Sequence, residues 1–393
     1  MGGNRNSHIA TRRAFAFLRE HAVLVIAALC AVATMCVMPP DRMYLEYVDW
    51  NTIGCLFCVL AVANAFRYLG AFDRLARLAI EHLDTPRAVV MVLVLTTGAL
   101  SMVATNDLAL IAMLPLSATT LVRAGWGRLI APTFVMQGLA ANLCGMILPF
   151  GNPQNLYLYS YYSLGLGEFL RAMALPFFIS VVLVVGCTWF LVHARGEESL
   201  RMDVVSRLPL GRRRCAAYSA LLLLTVLAVF RVVPVLVSAT IVLVVLCYAD
   251  RRALKSVDYA LLLTFVCFFV FAGNMARMPF LSDILTNLMA VNGLLTSAGL
   301  SQVISNVPAA VLLSHFTDAW QPLLVGVNIG GAGTLVGSLA SLITLQHFMS
   351  ITRVFPALRG EPSLSTRRFL GLFTVLNVGF LVVLFVVCRL CGL

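Results

Sequence analysis

Long apolar runs alternate with short charged segments along almost the whole chain. Runs near 21–38, 51–69, 169–192, 216–232, 235–249, 258–276 and 369–388 read as simple spans, a bilayer crossing needing roughly 20 apolar residues. Between 70 and 87 the pattern changes. Asp73, Arg74 and Arg77 sit among apolar residues at helical spacing, which predicts a helix lying on the membrane surface. Two longer regions, 88–162 and 292–349, are apolar but interrupted by Asn, Gly, Pro and Ser. Each predicts a re-entrant hairpin followed by a broken span. The expected fold class is an all-α polytopic membrane protein. Its organisation reads as an N-terminal segment 1–20, spans plus a first hairpin and broken helix over 21–192, a linker 193–215, and a second such set over 216–393.

Composition supports that pattern. The 393 residues are 61% hydrophobic and 11% charged, with mean hydropathy +0.94. Soluble domains carry about 25% charged residues, so disorder and an ordinary soluble enzyme are both excluded. The net charge of +11 is mostly Arg between apolar runs, without the aromatic-interleaved basic face that stacks on bases, and nucleic acid is not an expected partner. The CxxC pairs Cys55/Cys58 and Cys388/Cys391 lack a second pair or a nearby His and read as small apolar residues rather than zinc ligands. The first run ends in Val37-Met38-Pro39-Pro40 without a small-x-small cleavage site, so it reads as a retained span.

Basic residues orient the chain. With the N-terminus in the cytoplasm, 23 of the 28 Lys and Arg fall in cytoplasmic segments, and the singles Arg42, Arg171, Arg231, Arg277 and Arg389 fall outside. This expectation places a loop at 278–291 on the external side. It also requires the hairpin at 88–121 to start from the cytoplasm and the one at 292–316 from outside. Hairpins of opposite direction are what an inverted repeat needs.

The repeat is visible in the residues. Residues 141–156 and 327–342 align so that Asn142 matches Asn328, Gly145 matches Gly331 and Gly151 matches Gly337. Thr105-Asn106 matches Ser305-Asn306, Trp126 matches Trp320, and Asp49 matches Asp258. Backbone groups in hydrocarbon need partners, so helix broken by Pro149, Gly151 and Pro153, or by Gly330, Gly331, Gly333 and Gly337, is tolerated where it lines a cavity. A broken helix exposes carbonyls that suit cations and N–H groups that suit anions. The expected substrate-binding residues are Thr105, Asn106, Asn152, Asn155, Ser305, Asn306, Thr334 and Ser338. The expected cation-binding residues are Thr105, Asn106, Asp107, Asn142 and Gly145 in the first half, with Ser305, Asn306, Asn328 and Gly331 in the second.

These motifs resemble the citrate/dicarboxylate and arsenite permease families of the ion-transporter superfamily, including the divalent anion–sodium symporters. The resemblance covers essentially 49–390. It is carried most specifically by Gly151-Asn152-Pro153-Gln154-Asn155 and by Asn328-Ile329-Gly330-Gly331-Ala332-Gly333-Thr334. It implies hairpins and broken helices that move as an elevator against a scaffold, the scaffold forming a homodimer. It also implies a multi-pass protein of the plasma (inner) membrane that transports a small anion with sodium or protons and has no resident cofactor. The chain departs from the family pattern at Asp107, where a neutral Thr is usual, and at Leu339 and Ser341, which stand for Pro and Asn.

Asp107 is the carboxylate set deepest in an apolar segment, and such a group is a functional candidate by default. The alternative is an Asp that caps the second arm of the hairpin. His315 and His347 fall near expected membrane boundaries and read as structural. No Gly-x-Ser-x-Gly, His-x-x-x-His or acidic cluster is present for an enzyme, and no Walker motif for an ATP-driven pump. A channel and a proton-coupled cation or arsenite antiporter remain as alternative readings.

Overall fold

A computed structural model describes residues 22–80, 83, 85–192 and 211–392, among which every regular element is helical. Segment 1–20 and residues 193–210 of the expected linker lie outside the described residues. The first half runs through α1 (Ala22–Val37), a short α2 (Tyr44–Tyr47), α3 (Trp50–Tyr68), α4 (Ala71–Ile80), α5 (Pro86–Val103), α6 (Asn106–Arg123), α7 (Ile130–Cys144), α8 (Pro153–Tyr161) and α9 (Leu166–Leu191). After α10 (Arg212–Val229), the second half follows the same order. It comprises α11 (Val235–Ala249), a short α12 (Arg251–Lys255), α13 (Tyr259–Ala276), α14 (Pro279–Ile304), α15 (Asn306–Leu313), α16 (Trp320–Ile329), α17 (Leu339–Val354) and α18 (Thr366–Leu390).

Among the described residues, seven helical stretches are long and apolar enough to cross a membrane. They divide by surroundings. In the stretch 127–147, which contains α7, 89% of the apolar window is buried, against 22% in α9 and in α18. The broken helix is therefore interior, and the long helices α9 and α18 expose apolar sides, as membrane-facing helices do.

Segment 278–291 is a correction to the expected loop: Pro279 opens a helix that continues to Ile304. Pro suits a first helical turn because its missing N–H is unpartnered there in any case. Asn292 is non-helical (φ −158°, ψ 85°), and its Oδ1 accepts from Leu295 N–H at 3.0 Å, restarting the helix as the first arm of the hairpin. Phe280, Ile284, Leu288 and Val291 form an exposed apolar stripe at helical spacing. The piece before the kink occupies the same place in the order of elements as α4.

The two halves interlock. α1 packs on α13 of the other half, and α11 packs on α3. Asp49 caps α3 by accepting from Asn51 and Thr52 N–H at 3.0 and 3.1 Å, and Asp258 caps α13 by accepting from Leu261 N–H at 2.9 Å. Each of these helices buries one Asn that reaches across to the other half. Asn64 Nδ2 donates to Ser256 O at 3.0 Å, ahead of α13, and Asn274 Nδ2 donates to Tyr44 OH at 2.8 Å, ahead of α3. At the end of α13, Arg277 pairs with Asp41 at 2.8 Å and donates to Tyr47 OH at 2.9 Å, contacts that push its pKa above the usual guanidinium range.

Candidate functional site

Each hairpin tip is a non-helical residue, Thr105 (φ −58°, ψ 150°) or Ser305 (φ +75°, ψ 156°), followed by an Asn that opens the second arm. A helix start leaves its first N–H groups without intrahelical partners. Asn106 Oδ1 accepts the next one, from Asp107, at 2.9 Å, and Asn306 Oδ1 accepts that of Val307 at 2.9 Å. The Asn backbones also tie the tips to the neighbouring breaks: Asn106 N–H donates to Gly151 O at 3.2 Å, and Asn306 N–H to Gly337 O at 3.0 Å. Glycine is needed at both places for closeness. A Cβ on Gly151 would overlap Gly145 O, and one on Gly337 would sit 2.9 Å from Gly330 O.

Between α7 and α8 the chain makes a 3-10 turn at Gly145–Ile147, then turns through Pro149–Gly151 and restarts at Pro153. Between α16 and α17 it turns through 330–337 with Gly333 at φ +114°, and Ser338 Oγ caps α17 by accepting from Ala340 N–H at 3.2 Å. The two breaks meet. Asn328 Nδ2 donates to Asn155 Oδ1 at 2.5 Å, while Asn328 Oδ1 accepts from Gln154 Nε2 at 3.2 Å and from Asn152 Nδ2 at 3.4 Å. In return, Asn142 Oδ1 accepts from Ser338 Oγ at 3.4 Å, and its amide lies where a Cβ on Gly331 would be. Asn142 O accepts from Asn152 Nδ2 at 3.1 Å, and Asn155 Nδ2 reaches Met146 O at 3.1 Å. Asn152, Gln154 and Asn155 have no solvent exposure.

The predicted residues thus fall into a crossed arrangement. Asn106 and Asn306 bond the break of their own half, whereas the side chains of Asn142 and Asn328 bond the break of the other. Thr105 and Asp107 share the first tip, and Ser305 Oγ lies 3.4 Å from Asn306 Oδ1 and 3.5 Å from Gly337 O. Thr334 is exposed and bonds Gln302, a residue the sequence reading did not single out. Gln154 was also passed over, although it lies inside the most specific motif. His347 Nδ1 sits 3.0 Å from Ile343 O one turn back, and His315 Nδ1 lies 3.4 Å from Tyr161 OH, away from this network.

The donor chemistry is all oxygen. Thr105 Oγ1, Asp107 Oδ1, Asn152 Oδ1 and Gln154 Oε1 are buried without a hydrogen-bond partner. Buried acceptors without donors carry a desolvation penalty unless something electropositive meets them, and oxygen sets of this kind suit hard cations. Among the described residues no group of three or more His, Cys, Asp or Glu is placed to hold a metal ion. The expected capping bond of Asp107 is made instead by Asn106, the residue before it.

A helical membrane protein whose two broken helices meet at a buried polar network, each sealed by a hairpin tip, has the form of a transporter rather than an enzyme. Comparison with known sequences gives the family. The pattern of the family described as citrate transporter matches residues 9–324, and the chain belongs to that family. It is 31% identical over 303 residues to an uncharacterized transporter of Methanocaldococcus jannaschii, covering 76% of this chain and 81% of that one. It is 32% identical over 305 residues to the inner membrane protein YbiR of Escherichia coli, covering 76% and 80%. A 46 kDa membrane protein of Mycobacterium leprae is 23% identical over 340 residues, covering 76% and 78%. The protein is a multi-pass membrane transporter.

Proposed function

We propose that the protein is a secondary transporter of a small anion, a carboxylate or oxyanion, coupled to a monovalent cation for which sodium is the first candidate. The observation that carries this reading is that Thr105 and Asp107 of the first hairpin tip, and Asn152 and Gln154 of the break to which Asn106 N–H bonds, each bury an oxygen without a partner, beside the network that joins the two breaks. A cation there would meet Thr105, Asp107 and Asn152, and the anion would lie against it and the N-terminus of α8. The network contains no Lys or Arg, so a multiply charged anion depends on the cation and the helix ends for its counter-charge. The family's description makes citrate the first substrate to try.

The matched order of elements supports an inverted repeat, and the interlocked α1, α3, α11 and α13 supply a scaffold against which the hairpins and breaks move as an elevator, in a homodimer. The positive-inside count supports a cytoplasmic N-terminus in the plasma membrane. Labelling of a cysteine placed at Ser282 by an impermeant thiol reagent added outside tests that orientation, and labelling from the inside alone refutes it.

Counterflow in proteoliposomes tests the function. Labelled citrate, and then other small carboxylates and oxyanions, should accumulate against a preloaded unlabelled pool and saturate, whereas a channel shows neither behaviour. Asn106→Ala and Asn306→Ala should each abolish cation-dependent uptake with folded yield near normal. Undiminished uptake in both removes the hairpin tips from the site.

A further inference from the structure

Gln302 stands one turn before the second hairpin tip, and its carboxamide is the only side chain that bridges this hairpin to the break at 330–338 through three carbonyls among the described residues. Its Nε2 lies 2.6 Å from Gly330 O, 3.0 Å from Ala298 O and 3.2 Å from Ala332 O. Two N–H groups thus serve three carbonyls that converge on one point, the kind of oxygen cage that otherwise holds a hard cation. The place is shaped for the amide. Oε1 accepts from Thr334 N–H at 2.8 Å, a Cβ on Gly333 would overlap that oxygen, and one on Gly337 would approach it to 3.3 Å.

The first half is finished differently. By the register that pairs Asn106 with Asn306, the counterpart of Gln302 is Met102, a hydrophobic side chain packed on the core. The carbonyl matching Ala332 is that of Met146, which accepts from Asn155, and the second half has Ser341 where Asn155 stands. The first tip and break leave four buried oxygens unpartnered, whereas the side chains of Gln302, Ser305, Thr334 and Ser338 all have partners.

We propose that the Gln302 amide is a built-in substitute for a second coupling cation, so that the chain binds a cation in its first half alone. This rests on the cation-coupled reading above. It makes transport of one anion dependent on a single cation, with the second hairpin closed onto its break by Gln302 at all times.

Equilibrium binding of radioactive sodium to the purified full chain, with melting temperatures in sodium and in choline chloride, tests it. The wild type should bind one sodium per chain with a Hill slope of one, and Gln302→Met, which bares the carbonyl cage, should bind two. Gln302→Glu keeps the shape but cannot donate, so its melting temperature should rise in sodium relative to choline by more than the wild type's does. If Gln302→Met fails to fold, Gln302→Glu carries the test. Two sodium ions on the wild type would overturn the substitution while leaving cation coupling intact. A loss of stability in both variants that is equal in the two salts would reduce Gln302 to a brace and overturn it as well. No sodium on the wild type, with sodium-specific stabilisation of Gln302→Glu, would support the substitution and overturn sodium coupling. No sodium effect on any of the three proteins would overturn both.

Discussion

At the first hairpin tip Asn106 bonds Gly151 and leaves Thr105, Asp107 and Asn152 each with a buried oxygen unpartnered; at the second, Asn306 bonds Gly337 while Gln302 and Thr334 bind each other and the break. The tip-to-break contact recurs in both halves, down to the Asn that takes the following N–H, although Thr105 sits at φ −58° and Ser305 at φ +75°. The side-chain finish is not. What repeats is what a helix broken inside a membrane must have: a glycine that lets two backbone segments touch and an Asn that satisfies a freed donor. What differs is the set of oxygens left over.

The glycines test the shared frame, and the largest expected loss of stability lies there. Gly151→Ala places a Cβ into the Gly145 carbonyl, a backbone atom that cannot swing aside. It should destabilise by about 3 kcal/mol, the upper end for overpacking, and lower the melting temperature and folded yield accordingly. Gly337→Ala meets Gly330 O at a less severe 2.9 Å and should lose about 1–2 kcal/mol. Equal melting temperatures for the two variants would show that the breaks are equally tight and would remove this part of the contrast.

The crossed network comes next. Asn328 serves Asn152, Gln154 and Asn155 at once, whereas the Asn142 side chain meets Ser338 at a long 3.4 Å. Asn328→Ala strands the Asn155 oxygen and the Gln154 amide, while Asn152 Nδ2 keeps Asn142 O, and should destabilise by about 2 kcal/mol. Asn142→Ala should lose about half that by the same reasoning. Thermal unfolding of the two variants in one detergent checks the order. A larger loss at Asn142 would mean that the first break, rather than the second, supplies the hub.

The contrast also explains what could be read along the chain and what could not. Asn106, Asn306, Gly151 and Gly337 were legible because each has a matched partner in the other half. Gln302 was not, since Met102 gives it no echo and a Gln beside a hairpin tip looks like any polar interruption. Asn64 and Asn274 lie at almost the same distance from their matched Asp caps, and that was the available signal. They were hidden because single Asn residues inside apolar runs are ordinary interhelical contacts. The helix at 279–291 read as a loop because Pro279, Asp283 and Asn292 break the apolar run, although Pro suits a helix start and Asn292 restarts the next. The crossing of Asn142 and Asn328 was out of reach because it depends on how two breaks more than 170 residues apart approach one another.

Asp107 sharpens the comparison with the smallest expected change in stability. Its counterpart is Val307, so an ionisable carboxyl stands in the first half where the second is apolar. A carboxylate that merely capped α6 would accept from a backbone N–H, but Asn106 holds that role and Asp107 Oδ1 has no hydrogen-bond partner. Asp107→Asn keeps the size and the affinity for a helix start, so folding should change by no more than about 0.5 kcal/mol. Transport should change far more. On the proposed coupling role the substitution removes the carboxylate that faces the cation, so uptake should stop or lose its dependence on sodium and pH while binding of the anion alone is retained or tightened. Asp107→Asn vesicles that transport at the wild-type rate, with wild-type sodium and pH dependence, would show that the charge lies outside the coupling path. The difference between the halves would then rest on Thr105, Asn152 and Gln302 alone.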